Sequence, residues 1–258
     1  MDGLTMPVCC KAWGMNNPRS GSDLAYVLHS VPYKETSLIV ELFCKEHGRM
    51  PVVAKGAKRP HSALRAVLVS FQPLSVRFSG KSDVKTLTQA EWLGGLMSPD
   101  GKALFAAYYL NELLMRGLSR EDAHPELFDL YQQTLIGLTE GEDMNVCIRR
   151  FEVGLLQAFG YGLDWAHDAN GAAIESALEY VWVDQHGWIP SVGGNVNNLQ
   201  NGSVEQVVQG QWITEIQEGI WSKAASSALK PVTRKLLMTH VAPNGLMSRI
   251  WMEHLLRI

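Results

Sequence analysis

Five short strand-like segments within residues 25–90 constrain the fold of this 258-residue chain more than any other feature. They cover residues 25–30, 37–44, 50–54, 73–78 and 84–90, with glycine- and proline-containing turns between them. Strands spaced roughly 8–12 residues apart are typical of a small sandwich or barrel. With one helical turn at 62–68, the pattern predicts a five-stranded OB-fold barrel, and a small SH3-like barrel would look similar.

After Pro99 the apolar residues recur at helical spacing. Helices are predicted at about 103–118, from Pro125 to a loop at 137–142, at 145–159, and at about 204–218, 224–240 and 246–257, with a hairpin at 180–190 and a loop at 193–202. We expect a break before Pro231. The chain is therefore predicted to be an α+β protein, with a loose N-terminal extension (1–21), an OB-fold domain (22–97) and a mostly α-helical domain (98–258) that carries a small irregular hairpin insert near 164–200.

Hydrophobic residues make up 46% and charged residues 19% of the sequence, which is ordinary globular composition. No apolar run approaches the ~20 residues that a membrane-spanning helix needs. The first 20 residues lack the apolar region of a signal peptide. We therefore expect a cytoplasmic protein with no membrane association.

No motif in the sequence predicts catalysis, a metal or another cofactor. The four cysteines, Cys9, Cys10, Cys44 and Cys147, lack metal-site spacing and are expected to be free thiols. The sequence contains no G-x-S-x-G nucleophile motif and no phosphate-binding P-loop. Asp164, His167 and Asp168 lie close together, and we expect a polar loop there rather than a cation site. The chain is predicted not to be an enzyme.

The charge is unevenly distributed along the chain. Residues 1–90 hold 12 Lys and Arg against 6 Asp and Glu, whereas residues 91–258 hold 11 against 20. The net charges are therefore +6 and −9, which sum to the −3 of the whole chain. Such asymmetry indicates a nucleic-acid surface on the basic part, the alternative being a solvated basic surface.

The segment Ala54–Pro60 is the most informative basic stretch, because it joins two predicted strands and Gly56 lets its backbone approach a ligand closely. Lys55, Lys58 and Arg59 are predicted to contact phosphates. Single-strand-binding barrels add stacking aromatic side chains, for which Tyr26, Tyr33, Phe43, Phe71 and Phe78 are available. Phe43 and Phe78 alternate with polar neighbours and are expected in the core, and Tyr33 is the candidate for an exposed stacking residue. The predicted DNA-binding set is Tyr33, Lys55, Lys58, Arg59, Arg65, Arg77, Lys81 and Lys85.

A second candidate site lies on the helix at 145–159. Arg149 and Arg150 point about 100° apart, so one can flank an apolar groove formed with residues such as Leu156. An arginine beside an apolar groove suits a peptide with an acidic and hydrophobic end. The alternative is that these arginines form salt bridges with Glu112, Glu152 or the loop at 140–143.

The order of several motifs resembles the RecO family of bacterial recombination mediators over about residues 22–165. The N-terminal motifs are A-Y-V-L-H-S-V-P-Y-K-E-T-S (25–37), E-L-F (41–43), H-G-R (47–49), V-A-K-G-A-K-R (53–59), F-Q-P-L (71–74) and K-T-L (85–87). Further on come Y-L-N-E-L-L (109–114), H-P-E-L-F (124–128), R-R-F-E (149–152) and F-G-Y-G-L (159–163), with a weak return at M-S-R (247–249).

This resemblance implies an OB-fold domain followed by a helical domain, binding of single- and double-stranded DNA, strand annealing, and help in loading the recombinase RecA. It implies RecR and the acidic C-terminal tail of the single-stranded-DNA-binding protein as partners, a nucleoid-associated location, and no enzymatic activity. Lys55, Lys58 and Arg59 fall on the family's basic loop and Arg149 in its R-R-F segment. The alternative function is a protein–protein adaptor whose barrel binds protein instead of DNA.

Two departures from the family matter. Many RecO proteins carry a four-cysteine zinc site after the G-Y-G-L segment, but no cysteine lies between Asp164 and Trp182, so the chain resembles the zinc-free branch. The first 21 residues extend beyond the family's usual start. The net charge of −9 after residue 90 favours protein partners for the helical domain.

Overall fold

The computed structural model describes residues 21–191 and 207–248. These form two compact units, one of residues 21–141 with 246–248, and the other of residues 142–191 with 207–245. Residues 1–20 of the predicted extension (1–21), the loop at 193–202 and the last predicted helix (246–257) from residue 249 onward lie outside the described residues.

Five strands of the first unit close into a barrel in the order β1-β2-β3-β5-β4. β3 and β5 pair in parallel and the other neighbours are antiparallel, with β1 pairing with β4 to close the ring. A short helix lies between β3 and β4. This is the OB-fold topology and confirms the predicted barrel. The elements are β1 (Asp23–Tyr33), β2 (Ser37–Cys44), β3 (Gly48–Ala54), α1 (Ala63–Val67), β4 (Leu74–Ser79) and β5 (Lys85–Trp92).

The inward-facing side chains of these strands fill the barrel. Val40, Leu42, Val52 and Leu74 are completely buried, and one face of α1 packs against them through Leu64 and Val67. The burial does not alternate along every strand: Val40 to Cys44 of β2 are all buried, because the face of β2 opposite the barrel core is covered as well.

β1 is longer than predicted. It runs to Tyr33, past the predicted end at residue 30, and includes Pro32, which lies opposite Leu38 of β2. β1 pairs with β4 only at its start, over Asp23–Ala25. Beyond Ala25, β1 therefore has β2 as its neighbour while its pairing with β4 has ended, and such an edge segment is where a strand tolerates proline.

Two helices complete the first unit, α2 (Gly101–Gly117) and α3 (Pro125–Glu140). The predicted loop at 137–142 begins later than expected, because α3 continues to Glu140 and ends on the left-handed Gly141 (φ 83°). Phe128 and Tyr131 of α3 pack on Tyr26 and Phe43 of the barrel with ring centroids 5.1–6.0 Å apart.

The second unit combines three helices with a small sheet of order β7-β6-β8. β6 and β7 form the predicted hairpin. The helix predicted at 204–218 is wrong in its first part, because Val207 pairs with Val181 and extends the sheet. The elements are α4 (Met144–Ala158), β6 (Glu179–Val183), β7 (Gly187–Pro190), β8 (Val207–Gln209), α5 (Gly210–Gln217) and α6 (Lys223–His240).

The expected break before Pro231 is absent, and α6 is continuous through it. A proline inside a helix removes one intrahelical hydrogen bond. Leu229 and Val232, on either side, are 0% and 5% exposed. Their burial against the rest of the unit offsets the cost of the lost bond.

Candidate nucleic-acid interface

The basic loop, defined as residues 55–62, leaves the end of β3 and leads into α1. Hydrogen bonds from Ala57 N–H to the Ala54 carbonyl (3.4 Å) and from Arg59 N–H to the Gly56 carbonyl (3.1 Å) set its course. Ala57 is fully buried in the barrel core. Gly56 has φ +73°, a conformation that a residue with a side chain rarely adopts. The basic loop is therefore a fixed turn anchored on the barrel.

The cations of the basic loop point into solvent. Lys55, Lys58 and Arg59 are all exposed, and among the described residues none of them has an ion-pair partner. Unpaired cations held close together on a fixed backbone attract phosphates and release counterions when they bind them. Contact of Lys55, Lys58 and Arg59 with phosphates remains a prediction.

The β1–β2 turn lies next to the basic loop. Lys58 N–H donates to the carbonyl of Thr36 at 2.9 Å, which joins the two segments. Tyr33, at the end of β1, is half-buried, and the Lys34 ammonium lies 5.2 Å from the centroid of its ring. The structure therefore brings Tyr33 together with Lys58, and one more cation, Lys34, stands beside them.

The remaining predicted DNA contacts are spread over α1, β4 and β5. Arg65 on α1 and Lys81 in the β4–β5 turn are exposed, and Arg77 on β4 is half-buried. Lys85 lies beside Val52 of β3, but its ammonium forms a salt bridge with Glu121 at 2.9 Å. Lys85 thus has less free charge to offer a phosphate than the cations of the basic loop.

Two further cations of the basic part of the chain (residues 1–90) also form ion pairs inside the first unit. Lys45 pairs with Asp129 at 2.7 Å, and the Arg49 guanidinium pairs with Glu41 at 2.9 Å while donating to the carbonyl of Met115. Asp129 is 84 residues from Lys45 in the sequence, and Glu41 lies in the mostly apolar strand β2. Counting charges along the sequence therefore overestimates the free positive charge.

Most of the candidate stacking aromatics are inside the unit. Tyr26, Phe43 and Phe71 are at most 3% exposed, and burial raises the pKa of the Tyr26 phenol. Trp92, the last residue of β5, was not among the predicted stacking residues, but it is 57% exposed. Its position at the end of an alternating strand, next to Gly94 and Gly95, was the available signal.

The candidate peptide residues in the second unit are mostly buried. Arg149 is 3% exposed, and its guanidinium forms an ion pair with Glu152 and donates to Thr233 of α6 at 2.7 Å. Leu156 is fully buried. The Arg149–Glu152 pair is one of the salt bridges that the sequence analysis gave as the alternative. Arg150 is the accessible member, its side chain 23% exposed and 3.3 Å from Glu142.

Asp164 and Asp168 shape the polar turn that the sequence analysis weighed against a cation site. Asp164 accepts from the N–H groups of Ala166 and His167, and Asp168 from those of Asn170 and Ala172. Within the described ranges, no three His, Cys, Asp or Glu residues are grouped as metal ligands.

The helices in the described ranges include none long and apolar enough to cross a membrane.

A closed five-stranded barrel with an exposed basic loop, followed by a largely helical region, defines a two-part OB-fold protein. Both parts of the chain match models of a known protein family. The model of the recombination protein O N-terminal domain matches residues 20–96, and that of its C-terminal domain matches residues 98–250.

Curated relatives cover most of the chain as well. DNA repair protein RecO of Ralstonia nicotianae is 40% identical over 87% of this chain and 81% of that protein. The proteins of the same name from Aromatoleum aromaticum (43% identical; 84% and 87% covered) and Polynucleobacter asymbioticus (41% identical; 91% and 96% covered) are equally similar. The chain belongs to the RecO family and has a role in DNA repair and recombination.

Proposed function

We propose that this chain is a non-enzymatic recombination mediator that binds single- and double-stranded DNA through its barrel and anneals complementary strands. Acting with RecR in the nucleoid, it helps to load RecA onto DNA coated by the single-stranded-DNA-binding protein. The observation that carries the proposal is the basic loop, whose three cations are exposed and unpaired among the described residues on a backbone fixed by Ala57. Membership of a DNA-repair family supports it.

Lys55, Lys58 and Arg59 carry the main phosphate contacts in this proposal, and Arg65 extends them along α1. Tyr33 provides a stacking surface beside the basic loop. Arg77, Lys81 and Lys85 are proposed as weaker contacts further along the β4–β5 hairpin, Lys85 least of all because of its salt bridge with Glu121.

The test is fluorescence anisotropy of a labelled single-stranded oligonucleotide over about 50–200 mM salt. Reversing Lys55, Lys58 and Arg59 to Glu removes three phosphate contacts and should flatten the log–log salt slope by about 2. Reversal of three exposed cations outside the barrel, Lys102, Lys230 and Arg234, changes the net charge equally and is the matched control. An annealing rate and a salt slope unchanged by the loop reversal would exclude this loop as the DNA site.

The second unit is proposed to bind the acidic tail of the single-stranded-DNA-binding protein. Arg150 contributes the accessible charge, while Arg149 and Leu156 hold α4 in place from inside the unit. Replacing Arg150 with Glu should weaken binding of an acidic tail peptide and leave DNA binding intact. Peptide binding without DNA binding by the unchanged chain would instead favour the adaptor function.

A further inference from the structure

Trp92 is an exposed tryptophan held in one orientation. Its indole N–H donates to the side-chain oxygen of Gln72 at 2.9 Å, and the Gln72 amide donates in turn to Ser98 at 2.9 Å. Gln72 is only 8% exposed, whereas Trp92 is 57% exposed. The ring is therefore fixed at one edge by a buried amide while much of its surface faces solvent.

The backbone under this contact is also unusual. Phe71 has φ +67°, a left-handed conformation that is strained for a residue with a side chain. The Phe71 ring is buried and packs edge-on against Tyr108, with centroids 5.0 Å apart. This strained corner sets the direction of Gln72, and through Gln72 the orientation of Trp92.

Trp92 lies on the strand that is the parallel neighbour of the strand leading into the basic loop. β3 and β5 are parallel neighbours, with Val53 opposite Thr86. Both strands run in the same direction. The basic loop leaves the C-terminal end of β3, and Trp92 lies at the C-terminal end of β5, further along in that direction. Trp92 lies six residues beyond Thr86, about 20 Å along the strand. The helix α1, which follows the basic loop in the chain, packs on β5 and carries the exposed Arg65.

We propose that Trp92 is a stacking site for a base of single-stranded DNA whose phosphates lie on the basic loop and Arg65. The inference rests on the proposed DNA binding and adds a base-contacting residue to it. Single-strand-binding barrels combine a basic track with aromatic platforms, and each OB fold covers about 4–16 nucleotides. A strand of that length is long enough to cover the ~20 Å along β5 from Thr86, which lies opposite the end of β3, to Trp92.

Stacking requires a base, whereas phosphate contacts do not, and this difference gives the test. Binding is measured for an oligothymidylate of about 16 nucleotides and for an abasic oligonucleotide of the same length. Trp92→Ala should weaken binding of the oligothymidylate about tenfold and leave binding of the abasic strand unchanged. Trp92→Phe keeps an aromatic face but lacks the N–H, and should bind oligothymidylate within about threefold of the original chain. Thermal unfolding of both variants checks that the barrel remains folded.

The outcomes separate the two proposals. Equal weakening of both oligonucleotides by Trp92→Ala, or no weakening of either, would overturn the stacking site while leaving DNA binding by the basic loop in place. Failure of Trp92→Phe to restore binding to a folded protein would also count against stacking. If the unchanged chain bound neither oligonucleotide, the proposed function and the stacking site would both be wrong.

Discussion

The Tyr131 hydroxyl donates a 2.6 Å hydrogen bond to the side-chain oxygen of Asn111, and both residues are buried between the barrel and its two helices. The Asn111 amide donates in turn to the carbonyl of Leu28 at 2.9 Å. This carbonyl lies where the β1–β2 register shifts, between Val27 and His29. The pair thus satisfies a backbone group at a bulge and ties α2, α3 and β1 together.

Replacing Asn111 with Ala should destabilise the protein by about 2–4 kcal/mol, because it leaves the Leu28 carbonyl and the Tyr131 hydroxyl buried without this partner. Tyr131→Phe removes only the hydroxyl and should cost about 1–2 kcal/mol. The free energy of unfolding from urea titrations measures both. A larger loss for Tyr131→Phe than for Asn111→Ala would show that the carbonyl contact contributes little.

Gly48, at the start of β3, cannot accept a side chain. Its φ is +68°, and a Cβ placed there would lie 1.9 Å from the carbonyl oxygen of Asp122. Gly48→Ala should therefore cost more than about 3 kcal/mol, since both the backbone and the α2–α3 connection must shift. Gly94 is the matched control: it has φ +76° with nothing within 4 Å, so Gly94→Ala should cost only about 1 kcal/mol. Similar melting temperatures for the two variants would contradict the prediction.

The sequence pattern predicted the barrel because its strands are short and separated by turn residues, with β-branched and aromatic residues in β2 and alternation in β4 and β5. The pattern placed β8 in a helix. A three-residue strand is too short to show a hydrophobic periodicity, and its conformation depends on the pairing of Val207 with Val181. For the interface, the basic loop was evident from Lys55, Lys58 and Arg59. The neutralisation of Lys85 by Glu121 was not, because that contact joins residues whose proximity is decided by tertiary packing.

Removing one charge of the buried Arg149–Glu152 ion pair should lower the stability of the protein more than replacing both residues with apolar ones. Both side chains are at most 4% exposed, and Thr233 donates to the same Glu152 carboxylate at 2.6 Å. Arg149→Met leaves a buried carboxylate without its counter-charge and should destabilise by about 3–5 kcal/mol. The double variant Arg149→Met, Glu152→Leu removes both charges and should recover much of that loss. Denaturation of the two variants side by side is the measurement, and equal losses would show that the charges are not coupled.

Glu112 should make stability depend on acid pH. Partial burial opposes its ionisation, but hydrogen bonds from the Ser248 hydroxyl, the N–H groups of Ser248 and Met247, and the nearby Arg116 outweigh that effect, so the pKa of Glu112 is lowered from 4.5. A carboxyl group whose pKa is lower in the folded than in the unfolded state stabilises fully above the unfolded value. That stability is lost as the pH falls through the folded pKa.

Glu112→Gln should therefore lower stability at neutral pH and flatten its decline between about pH 5 and about pH 3. Urea midpoints across this range measure both effects. Arg116→Gln is the control, because its ion pair with Glu112 is long (3.7 Å) while the three hydrogen bonds from residues 247 and 248 remain. Arg116→Gln should keep most of the decline in stability that the unchanged chain shows as the pH falls. If Glu112→Gln and the unchanged chain lost stability in parallel, the contact between α2 and residues 247–248 would not be the source of the pH dependence.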